Sequence, residues 1–390
     1  MARALVTGNY AAGYTLAVAG EANRGALGCV AGVYPITPQT EIIEYLTGVP
    51  FTKGRVVPVE SEHSAMGVCM GASLDGARAF TASSSNGLAY MAENVFAAGY
   101  YRLPIVLIAV NRTLGPPWNI WVDQGDSLML RDAAWLQFYC AAHQDGVDTI
   151  LLAFRVAEEA RVLLPALVAL DGFLVSHTQS VVELPEQEQV DRYLPRCFVP
   201  HRLRYEHPAT VGGMTPPRET EYHRREIQTA MERVPEVLAE ALDEFERVFG
   251  RRPPGPLPAE HTADAEAVFI ACNAMSRTLR TVVRARRERG EKVGMIETRL
   301  FRPFLRDEFL AALGPAKKIG VLDRNHSPGS GGIFWKEVAA TLHGRANVLV
   351  QDYVVGLGGG DVTPDIIDQI VDDLLRRERV DEPVWKEVAG

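Results

Sequence analysis

The chain has 390 residues, of which 47% are hydrophobic and 23% are charged, and its formal net charge is -9. This length predicts two or three domains, with enough apolar residues for a sizeable core. The negative charge argues against nucleic acid and anionic membranes as partners, and no apolar run reaches the roughly 20 residues that a membrane span needs. Residues 1–8 lack the apolar core of a signal peptide, so we expect a cytoplasmic protein.

The cysteines and histidines show no metal-binding pattern. No two cysteines lie two residues apart, which excludes the usual zinc and iron–sulfur spacings, and the histidines form no H-E-x-x-H motif. A scattered, odd set of thiols is typical of a reducing compartment, and each thiol is expected to be a small buried group. The set comprises Cys29, Cys69, Cys140, Cys197 and Cys272. We therefore predict that this chain holds no metal.

Residues 8–183 alternate predicted helices and strands. Buried strands that alternate with helices indicate a parallel sheet covered on both faces. The predicted strands are 28–33, 55–59, 78–82, 103–110 and 162–169, and the predicted helices are 8–22, 38–46, 61–74, 88–100 and 145–160. The loop at 113–126 is long for such a domain, and it carries two tryptophans beside two prolines.

The second half begins with proline-rich sequence. Residues 184–220 are interpreted as an extended segment, 221–249 as a long charged helix whose second half starts at Pro235, and 251–264 as a linker. A second α/β unit follows, with strands at 266–271, 292–297, 317–322 and 347–354 and helices at 275–289, 305–313, 331–343 and 364–377. The predicted domains are therefore 1–183, 184–263 and 264–390.

Two glycine-rich turns lie at strand ends of this second unit, at residues 329–332 and 356–360. Neither matches the G-x-G-x-x-G fingerprint of dinucleotide-binding proteins or a P-loop. We interpret both as tight turns that need positive φ angles. The missing fingerprint also argues against a nucleotide-binding dehydrogenase.

The stretch Tyr34-Pro35-Ile36-Thr37-Pro38 follows the strand at 28–33. Pro38 suits the first position of a helix, which would place Thr37 at the N-cap with its hydroxyl facing out of the strand end. Ligands of open parallel sheets bind at this edge. Thr37 therefore either caps the helix only or also contacts a ligand.

Two charged residues follow other strand ends. Arg112 offers a rigid guanidinium fork that matches a ligand carboxylate, although an ion pair with a structural acid is the alternative. Glu62 falls in the first turn of a helix, where the dipole favours an acid without any function. Because parallel strands end at one edge of a sheet, Thr37, Glu62 and Arg112 are predicted to meet beside the small polar loop Ser83–Gly87.

This ordered set of motifs resembles the α subunit of the 2-oxoacid:ferredoxin oxidoreductases, of which the pyruvate enzyme is the best-known member. Each motif alone is weak, but together they cover nearly the whole chain in the right order. They are Tyr34–Pro38, Glu60–Ala65, Phe80–Ser84, Asn111-Arg112, Arg131-Asp132, Arg299–Phe304, Val321–Arg324 and Gly356–Thr363. The resemblance implies a thiamine diphosphate-binding fold, in which a pyrimidine-type domain (a parallel sheet with helices on both faces) precedes a transketolase C-terminal-like α/β domain.

The resemblance also implies partners, because this family divides thiamine diphosphate between subunits. A chain of this kind covers the aminopyrimidine ring, whereas a β subunit carries the diphosphate, Mg²⁺ and an iron–sulfur cluster. A γ subunit and a ferredoxin-like δ subunit complete the complex, with further [4Fe-4S] clusters on ferredoxin-like chains. The implied reaction oxidatively decarboxylates a 2-oxoacid to an acyl-CoA from coenzyme A and passes electrons to ferredoxin or an NAD-linked acceptor.

Residue roles follow from the same resemblance. Glu62 would hold the pyrimidine nitrogen N1′ and so favour the tautomer whose amine deprotonates the thiazolium C2. Arg112 and Thr37 would bind the carboxylate of the 2-oxoacid. Further cofactor or cavity contacts are implied for Tyr34, Pro35, His63, Ser84 and Ser85.

The loop at 113–126 departs from the pyruvate enzymes, because it carries Trp118 and Trp121 after a Gly115-Pro116-Pro117 turn. Two indoles can stack on a ring, so we predict a bulky or aromatic 2-oxoacid such as phenylglyoxylate. A threonine at 37, where oxalate-using relatives have arginine, indicates a single carboxylate. The alternatives are that the tryptophans pack against the β subunit, that the substrate is pyruvate, or that the chain is a scaffold without a working site.

Overall fold

The computed structural model describes residues 2–344 and 348–386. The first half alternates strands and helices in the order β1 (Ala2–Thr7), α1 (Gly8–Glu21), β2 (Cys29–Val33), α2 (Thr40–Thr47), β3 (Gly54–Pro58), α3 (Glu62–Asp75), β4 (Arg78–Ser83), α4 (Ser85–Tyr90), α5 (Ala92–Tyr100), β5 (Val106–Asn111), α6 (Gly125–Leu128), β6 (Leu136–Cys140), α7 (His143–Ala157), β7 (Ala166–Asp171), β8 (Gln179–Leu184) and α8 (Gln187–Tyr193).

The second half contains α9 (Pro217–Phe249), β9 (Ala259–Glu260), β10 (Ala267–Ala271), α10 (Met275–Glu288), β11 (Val293–Glu297), β12 (Leu300–Arg302), α11 (Arg306–Leu313), β13 (Lys318–Asp323), α12 (Ile333–Leu342), β14 (Leu349–Val355), α13 (Pro364–Arg376) and β15 (Val384–Lys386). The predicted strand at 347–354 corresponds to β14, and its residue 347 lies outside the described residues. The predicted domain boundaries stay predictions.

The first sheet has the strand order β12-β6-β7-β5-β4-β2-β3 in the described part of the chain. All its pairs are parallel except β12 with β6, so the predicted parallel sheet is confirmed. The central strand β5 is buried along its whole length, as a strand covered on both faces must be. The ends of β4 and β5 therefore lie side by side at the carboxyl edge.

Several predicted boundaries in this sheet were wrong. The predicted strands 103–110 and 162–169 begin only after Pro104 and Pro165, at Val106 and Ala166, because proline has no N–H to donate to a neighbouring strand. The strand β6 was not predicted, and neither was the antiparallel pair of β1 with β8. The helix predicted at 88–100 is two helices, α4 and α5, that meet at Met91.

The segment between the domains also differs from the prediction. Residues 184–220 are not wholly extended, because α8 forms there with a capping box between Glu186 and Gln189. The helix α9 starts at Pro217 and continues through Pro235, so no second half begins there. The buried residues Val234 and Leu238 pack in the core shared with α7, which holds the helix together across the proline.

The second sheet has the order β15-β14-β13-β10-β11-β9 among the described residues, and only β9 runs antiparallel to its neighbour. The strand β12 leaves this unit and pairs with β6 of the first sheet, which joins the two halves. Both glycine-rich turns contain the predicted positive φ angles. The glycines concerned are Gly329, Gly331, Gly356, Gly358 and Gly359.

A shared apolar core fills the space between the two sheets. Phe301 and Phe334 of the second half pack on Tyr139 of the first, with ring centroids 6.2 Å and 5.5 Å from it. All five cysteines are buried and free, as predicted. In the described ranges, no helix is long and apolar enough to span a membrane, and no cluster of three or more His, Cys, Asp or Glu side chains could hold a metal ion.

Candidate active site

Glu62 lies in the first turn of α3, after the N-cap residue Ser61. It is only 7% exposed, and no group in the described residues hydrogen-bonds its carboxylate. A Cβ on Gly87 would lie 2.6 Å from Glu62 Oε1 and 2.6 Å from Ser83 Oγ, and the buried Ser83 hydroxyl also lacks a partner in this part of the chain. An unpaired carboxylate on a largely buried residue can accept a hydrogen bond from a bound group that brings a donor.

Arg112 directly follows β5 at the carboxyl edge. Its Nη1 donates to the Thr37 carbonyl oxygen at 3.0 Å, and its Nε donates to the Asn119 carbonyl oxygen at 2.8 Å. Within the described ranges, no carboxylate lies within ion-pair distance of the guanidinium, so the structural ion pair is not the arrangement found there. The remaining N–H groups of the fork are available to an anionic ligand.

The predicted helix start at Pro38 was wrong. The helix α2 begins at Thr40 with Gln39 at its N-cap, and the Gln39 N–H closes a turn onto the carbonyl three residues earlier at 2.9 Å. Thr37 is therefore an exposed turn residue rather than an N-cap. This agrees with the general rule that the residue before a proline avoids the helical region of φ/ψ space. The structure brings Thr37 to Arg112 through its backbone, and the role of its hydroxyl stays a prediction.

The hydroxyls of Ser84 and Ser85 hydrogen-bond the backbone near the end of β5. Ser84 Oγ donates to the Val110 carbonyl oxygen at 2.6 Å, and Ser85 Oγ donates to the Thr113 carbonyl oxygen at 2.6 Å. Each oxygen keeps lone pairs that can accept a further bond. Their predicted contacts with a cofactor stay predictions.

Tyr34 and Pro35 continue β2 toward the same edge. Tyr34 is half-buried and its carbonyl oxygen accepts from Gln39 Nε2 at 2.9 Å, whereas Pro35 is exposed. His63 is half-exposed, with its Nε2 3.8 Å from Glu93 Oε2. The roles predicted for these residues at a cofactor stay predictions as well.

The two tryptophans of the long loop stand at an open depression of about 430 Å³. Trp118 is 70% exposed, whereas Trp121 is 50% exposed and packs on Phe173 with ring centroids 4.7 Å apart. The depression is also lined by Arg112, Asn119 and Ile120. A guanidinium and an aromatic wall therefore share one surface.

The second half of the chain hydrogen-bonds to this tryptophan-bearing loop. Asn119 Nδ2 donates to the Gly358 carbonyl oxygen at 3.0 Å, and the Gly359 N–H donates to the Val122 carbonyl oxygen at 2.8 Å. A Cβ on Gly359 would lie 2.2 Å from the Trp121 Cβ. The glycine-rich turn thus supports the loop through close backbone approach as well as through its positive φ angles.

Asp126, which the sequence analysis did not single out, is buried beneath both loops. Its carboxylate accepts from the Ser85 N–H at 2.8 Å, the Arg112 N–H at 2.9 Å and Asn111 Nδ2 at 2.7 Å. Burial raises the pKa of Asp126 to about 7. In the sequence it is a loop acid like Asp123, and only the folded chain brings its partners together.

The start of α4 connects the two halves of the site. Gly87 lies beside Glu62, and Asn86 exchanges two hydrogen bonds with the backbone of Gly115, of 2.9 Å and 3.2 Å. The Glu62 carboxylate and the Arg112 guanidinium thus lie on one sheet edge, on either side of this helix start. An acid able to hold a protonated ring nitrogen and a cation able to hold a carboxylate are the chemical resources of the site.

Two family models match the chain. The model described as "Pyruvate flavodoxin/ferredoxin oxidoreductase, thiamine diP-bdg" matches residues 24–243. The model described as "Pyruvate:ferredoxin oxidoreductase core domain II" matches residues 265–367. The first match covers β2 to β8 and most of α9, and the second covers β10 to β14.

Relatives cover almost the whole chain. It is 42% identical to pyruvate synthase subunit PorA of Methanothermobacter thermautotrophicus over 90% of this chain and 91% of that one. It is 40% identical to ketoisovalerate oxidoreductase subunit VorA of Pyrococcus abyssi over 95% of this chain and 93% of that one.

A solved structure shows the same fold. It is a 2-oxoglutarate:ferredoxin oxidoreductase from Magnetococcus marinus, with a TM-score of 0.73 at 20% identity, covering 96% of this chain and 65% of that one. The predicted fold class, with its thiamine diphosphate-binding and transketolase-like domains, is confirmed. The chain belongs to the pyruvate flavodoxin/ferredoxin oxidoreductase family, as an α-type subunit of a 2-oxoacid:ferredoxin oxidoreductase.

Proposed function

We propose that this chain works in a complex that oxidatively decarboxylates a bulky 2-oxoacid to an acyl-CoA with thiamine diphosphate. The observation that carries the proposal is the largely buried Glu62, whose carboxylate has no donor in the described residues and lies beside Gly87 and the Ser83 hydroxyl. An aminopyrimidine ring is a suitable partner because its ring nitrogen, once protonated, donates to a carboxylate. The family model that matches residues 24–243 carries the name of the same cofactor.

Glu62 has one task in this proposal. When bound, thiamine diphosphate supplies the nucleophilic carbon that attacks the keto group. Glu62 holds a proton at the ring nitrogen N1′ through a charge-assisted hydrogen bond. Glu62 is only 7% exposed, and Gly87, which has no side chain, lets its carboxylate lie against the start of α4.

Arg112 has the complementary task of binding the substrate carboxylate. Two carbonyl oxygens, from Thr37 and Asn119, already orient the guanidinium, so the unused N–H groups point a preformed fork at the ligand. The exposed Thr37 hydroxyl supplies a further contact. Tyr34, Pro35, Ser84 and Ser85 are proposed to line the cofactor.

The remainder of the substrate is proposed to lie on the tryptophan wall. Trp118 is free to stack on a ring, and the depression beside Arg112 is wide enough for a bulky group. A relative at 40% identity is a ketoisovalerate oxidoreductase subunit, whose name specifies a branched acid. We therefore propose a bulky acid, with phenylglyoxylate as the favoured aromatic case. Pyruvate is the second candidate, because a relative at 42% identity is a pyruvate synthase subunit.

In the proposed complex, the 2-oxoacid and coenzyme A are converted to an acyl-CoA, CO₂, a proton and two electrons. The bond between the carboxylate and the keto carbon breaks and CO₂ leaves. A thioester bond forms between the acyl carbon and the sulfur of coenzyme A, whose thiol proton is released. The two electrons that the reaction releases would be taken up by [4Fe-4S] clusters, which we assign to a β subunit and to ferredoxin-like δ chains. The β subunit would also hold Mg²⁺ and the diphosphate, and a γ subunit would complete the complex. The final acceptor is ferredoxin or an NAD-linked protein.

A substrate panel on the assembled complex tests the proposal. We expect coenzyme A-dependent reduction of ferredoxin, with kcat/KM for phenylglyoxylate and 2-ketoisovalerate above that for pyruvate. A pyruvate rate far above the others would reject the bulky substrate. If no 2-oxoacid supported turnover, the chain would be a scaffold subunit and the proposal would fail.

Trp118→Ala tests whether the wall faces the substrate. We expect KM for an aryl 2-oxoacid to rise by up to about tenfold, because one stacked ring pair contributes on the order of 1 kcal/mol, with little change for pyruvate. Trp385→Ala, which removes an exposed tryptophan of the second half, is the matched control and should change neither KM. Loss of subunit assembly at unchanged KM would instead place Trp118 against a partner chain.

A further inference from the structure

A single buried carboxylate lies between the two halves of the site. Asp126 is fully buried at the start of α6, and its two oxygens accept four hydrogen bonds. Oδ1 accepts from Asn111 Nδ2 at 2.7 Å and from the Ser127 N–H at 2.8 Å. Oδ2 accepts from the Ser85 N–H at 2.8 Å and from the Arg112 N–H at 2.9 Å.

The two donors on Oδ2 belong to different parts of the site. The Ser85 N–H belongs to the first residue of α4, and Gly87 of the same helix lies beside Glu62. The Arg112 N–H belongs to the residue that directly follows β5 and carries the guanidinium. One oxygen atom therefore fixes the separation of two backbone segments that leave adjacent parallel strands.

The other oxygen of Asp126 connects this bridge to the second half of the chain. Asn111, which donates to Oδ1, accepts in turn from Asn273 Nδ2 at 3.3 Å. Asn273 Nδ2 also donates to Asp171 Oδ1 at 2.7 Å. The orientation of the carboxylate is thus held by a buried hydrogen-bonded chain, and its position does not depend on solvent.

We propose that Asp126 is a positioning residue for the reaction, because it sets the distance between the start of α4 at Ser85–Gly87 and the substrate-binding Arg112. This inference rests on the proposed function, in which Glu62 and Arg112 act on cofactor and substrate. Without the bridging oxygen, two buried N–H groups lose their acceptor and the two segments separate or turn. A displacement of about 1 Å between reacting groups is enough to lower the rate by about a hundredfold.

Asp126→Ala in the assembled complex is the first test. We expect KM for the 2-oxoacid to rise by about tenfold or more and thiamine diphosphate to bind more weakly, since both segments lose their common acceptor. Asp323→Ala is the matched control, because Asp323 is equally buried and accepts from Asn325 Nδ2 at 2.7 Å and from the Phe334 and Trp335 N–H groups at 3.0 Å. It should lower the melting temperature and leave KM within about twofold.

A swap of two neighbouring side chains separates positioning from stability. In the double variant Asn111→Asp/Asp126→Asn, the amide of residue 126 can donate to residue 111 and its oxygen still accepts from the Ser85 and Arg112 N–H groups, whereas the Ser127 N–H loses its acceptor. We expect the swap to bring KM within about threefold of the wild type, because the bridging oxygen is retained. A purely structural role for the carboxylate would give no such recovery of KM.

Arg112→Met distinguishes failure of this inference from failure of the proposed function. If Arg112→Met raises KM and Asp126→Ala does not, the positioning role is overturned and the proposed function stands. If neither variant changes KM, the proposed function itself fails. Should Asp126→Ala not assemble, Asp126→Asn replaces it: a KM that rises in Asp126→Asn and recovers in the swap supports the bridge, and a KM equal to the wild type in both variants overturns it.

Discussion

The Glu62 carboxylate lies close against residue 87 because that residue has no side chain. A single methyl group there would approach the carboxylate and the Ser83 hydroxyl to 2.6 Å, well inside normal contact distance. Backbone strain does not require this glycine, since it lies within the helix α4 and has no positive φ angle. The close approach of the Glu62 and Ser83 side chains is therefore the reason for the glycine.

Gly87→Ala should accordingly weaken thiamine diphosphate binding by at least about tenfold, although alanine is the better helix former by roughly 0.5–1 kcal/mol. Titration of the assembled complex with the cofactor measures this directly. Gly71→Ala is the control, because Gly71 lies within α3 with nothing within 4 Å of its would-be Cβ, and cofactor binding should not change. Equal affinity in the two variants would show that the position of the Glu62 carboxylate beside Gly87 does not matter for cofactor binding.

Individual site residues were predictable to different degrees. Glu62 and Arg112 follow from strand ends, because parallel strands deliver their carboxyl ends to one edge whatever the details of packing. Thr37 was placed at the right edge but in the wrong local structure, since a turn closed by Gln39 precedes the helix. Asp126 could not be predicted, because its role depends on two strand ends that meet only in the folded chain.

At the scale of elements, the sequence predicts the order of strands and helices better than their ends. Pro104 and Pro165 delay the start of β5 and β7, which hydrophobicity alone does not reveal. The strand β6 is a short buried run after a long loop, and β1 pairs with β8 across most of the first domain. Pairing between such distant segments leaves no local signature in either of them.

Asp323, at the end of β13, is expected to make the free energy of unfolding depend on pH. Asp323 is fully buried, and burial, followed by the neighbouring Asp352, raises its pKa to about 7. The ordinary pKa of an unfolded aspartate is about 3.9, so the folded chain binds this proton more tightly. The contribution of Asp323 to the free energy of unfolding is therefore greatest below about pH 4, falls as the pH rises to about 7, and is constant above that.

Asp323→Asn should remove this dependence, because the amide does not titrate. The melting temperature of the wild type minus that of the variant should fall between about pH 4.5 and pH 7.5, and it should stay level at higher pH. Thermal unfolding of the two proteins in matched buffers measures the difference. A difference that grows with pH would mean that Asp323 is stabilised as a carboxylate in the folded chain.

At the scale of the whole molecule, the second half of the chain completes the site without supplying Glu62, Thr37 or Arg112. Its glycine-rich turn touches the tryptophan loop through Gly358 and Gly359. The sequence predicts the positive φ angles of this turn, but not that Trp121 lies against it. Contacts between domains depend on where each unit docks, and no periodicity within either unit encodes that.

Gly359→Ala tests this contact between the two halves. The new Cβ would lie 2.2 Å from the Trp121 Cβ, so the loop that orients Arg112 through Asn119 must move, and KM for the 2-oxoacid should rise severalfold. Gly290→Ala is the control, because the φ angles of Gly359 and Gly290 are 84° and 85°. Nothing lies within 4 Å of a Cβ added at Gly290. Both variants should lose about 1 kcal/mol to backbone strain. Equal KM values would show that the turn does not support the substrate loop.

Glu62→Gln in the assembled complex is the decisive test of the role of Glu62 at the cofactor, because glutamine keeps the shape of the side chain and removes its charge. We expect 2-oxoacid-dependent reduction of the acceptor to fall by about a hundredfold or more and thiamine diphosphate to bind more weakly, with subunit assembly and iron–sulfur content unchanged. Full turnover with unchanged cofactor affinity would contradict it.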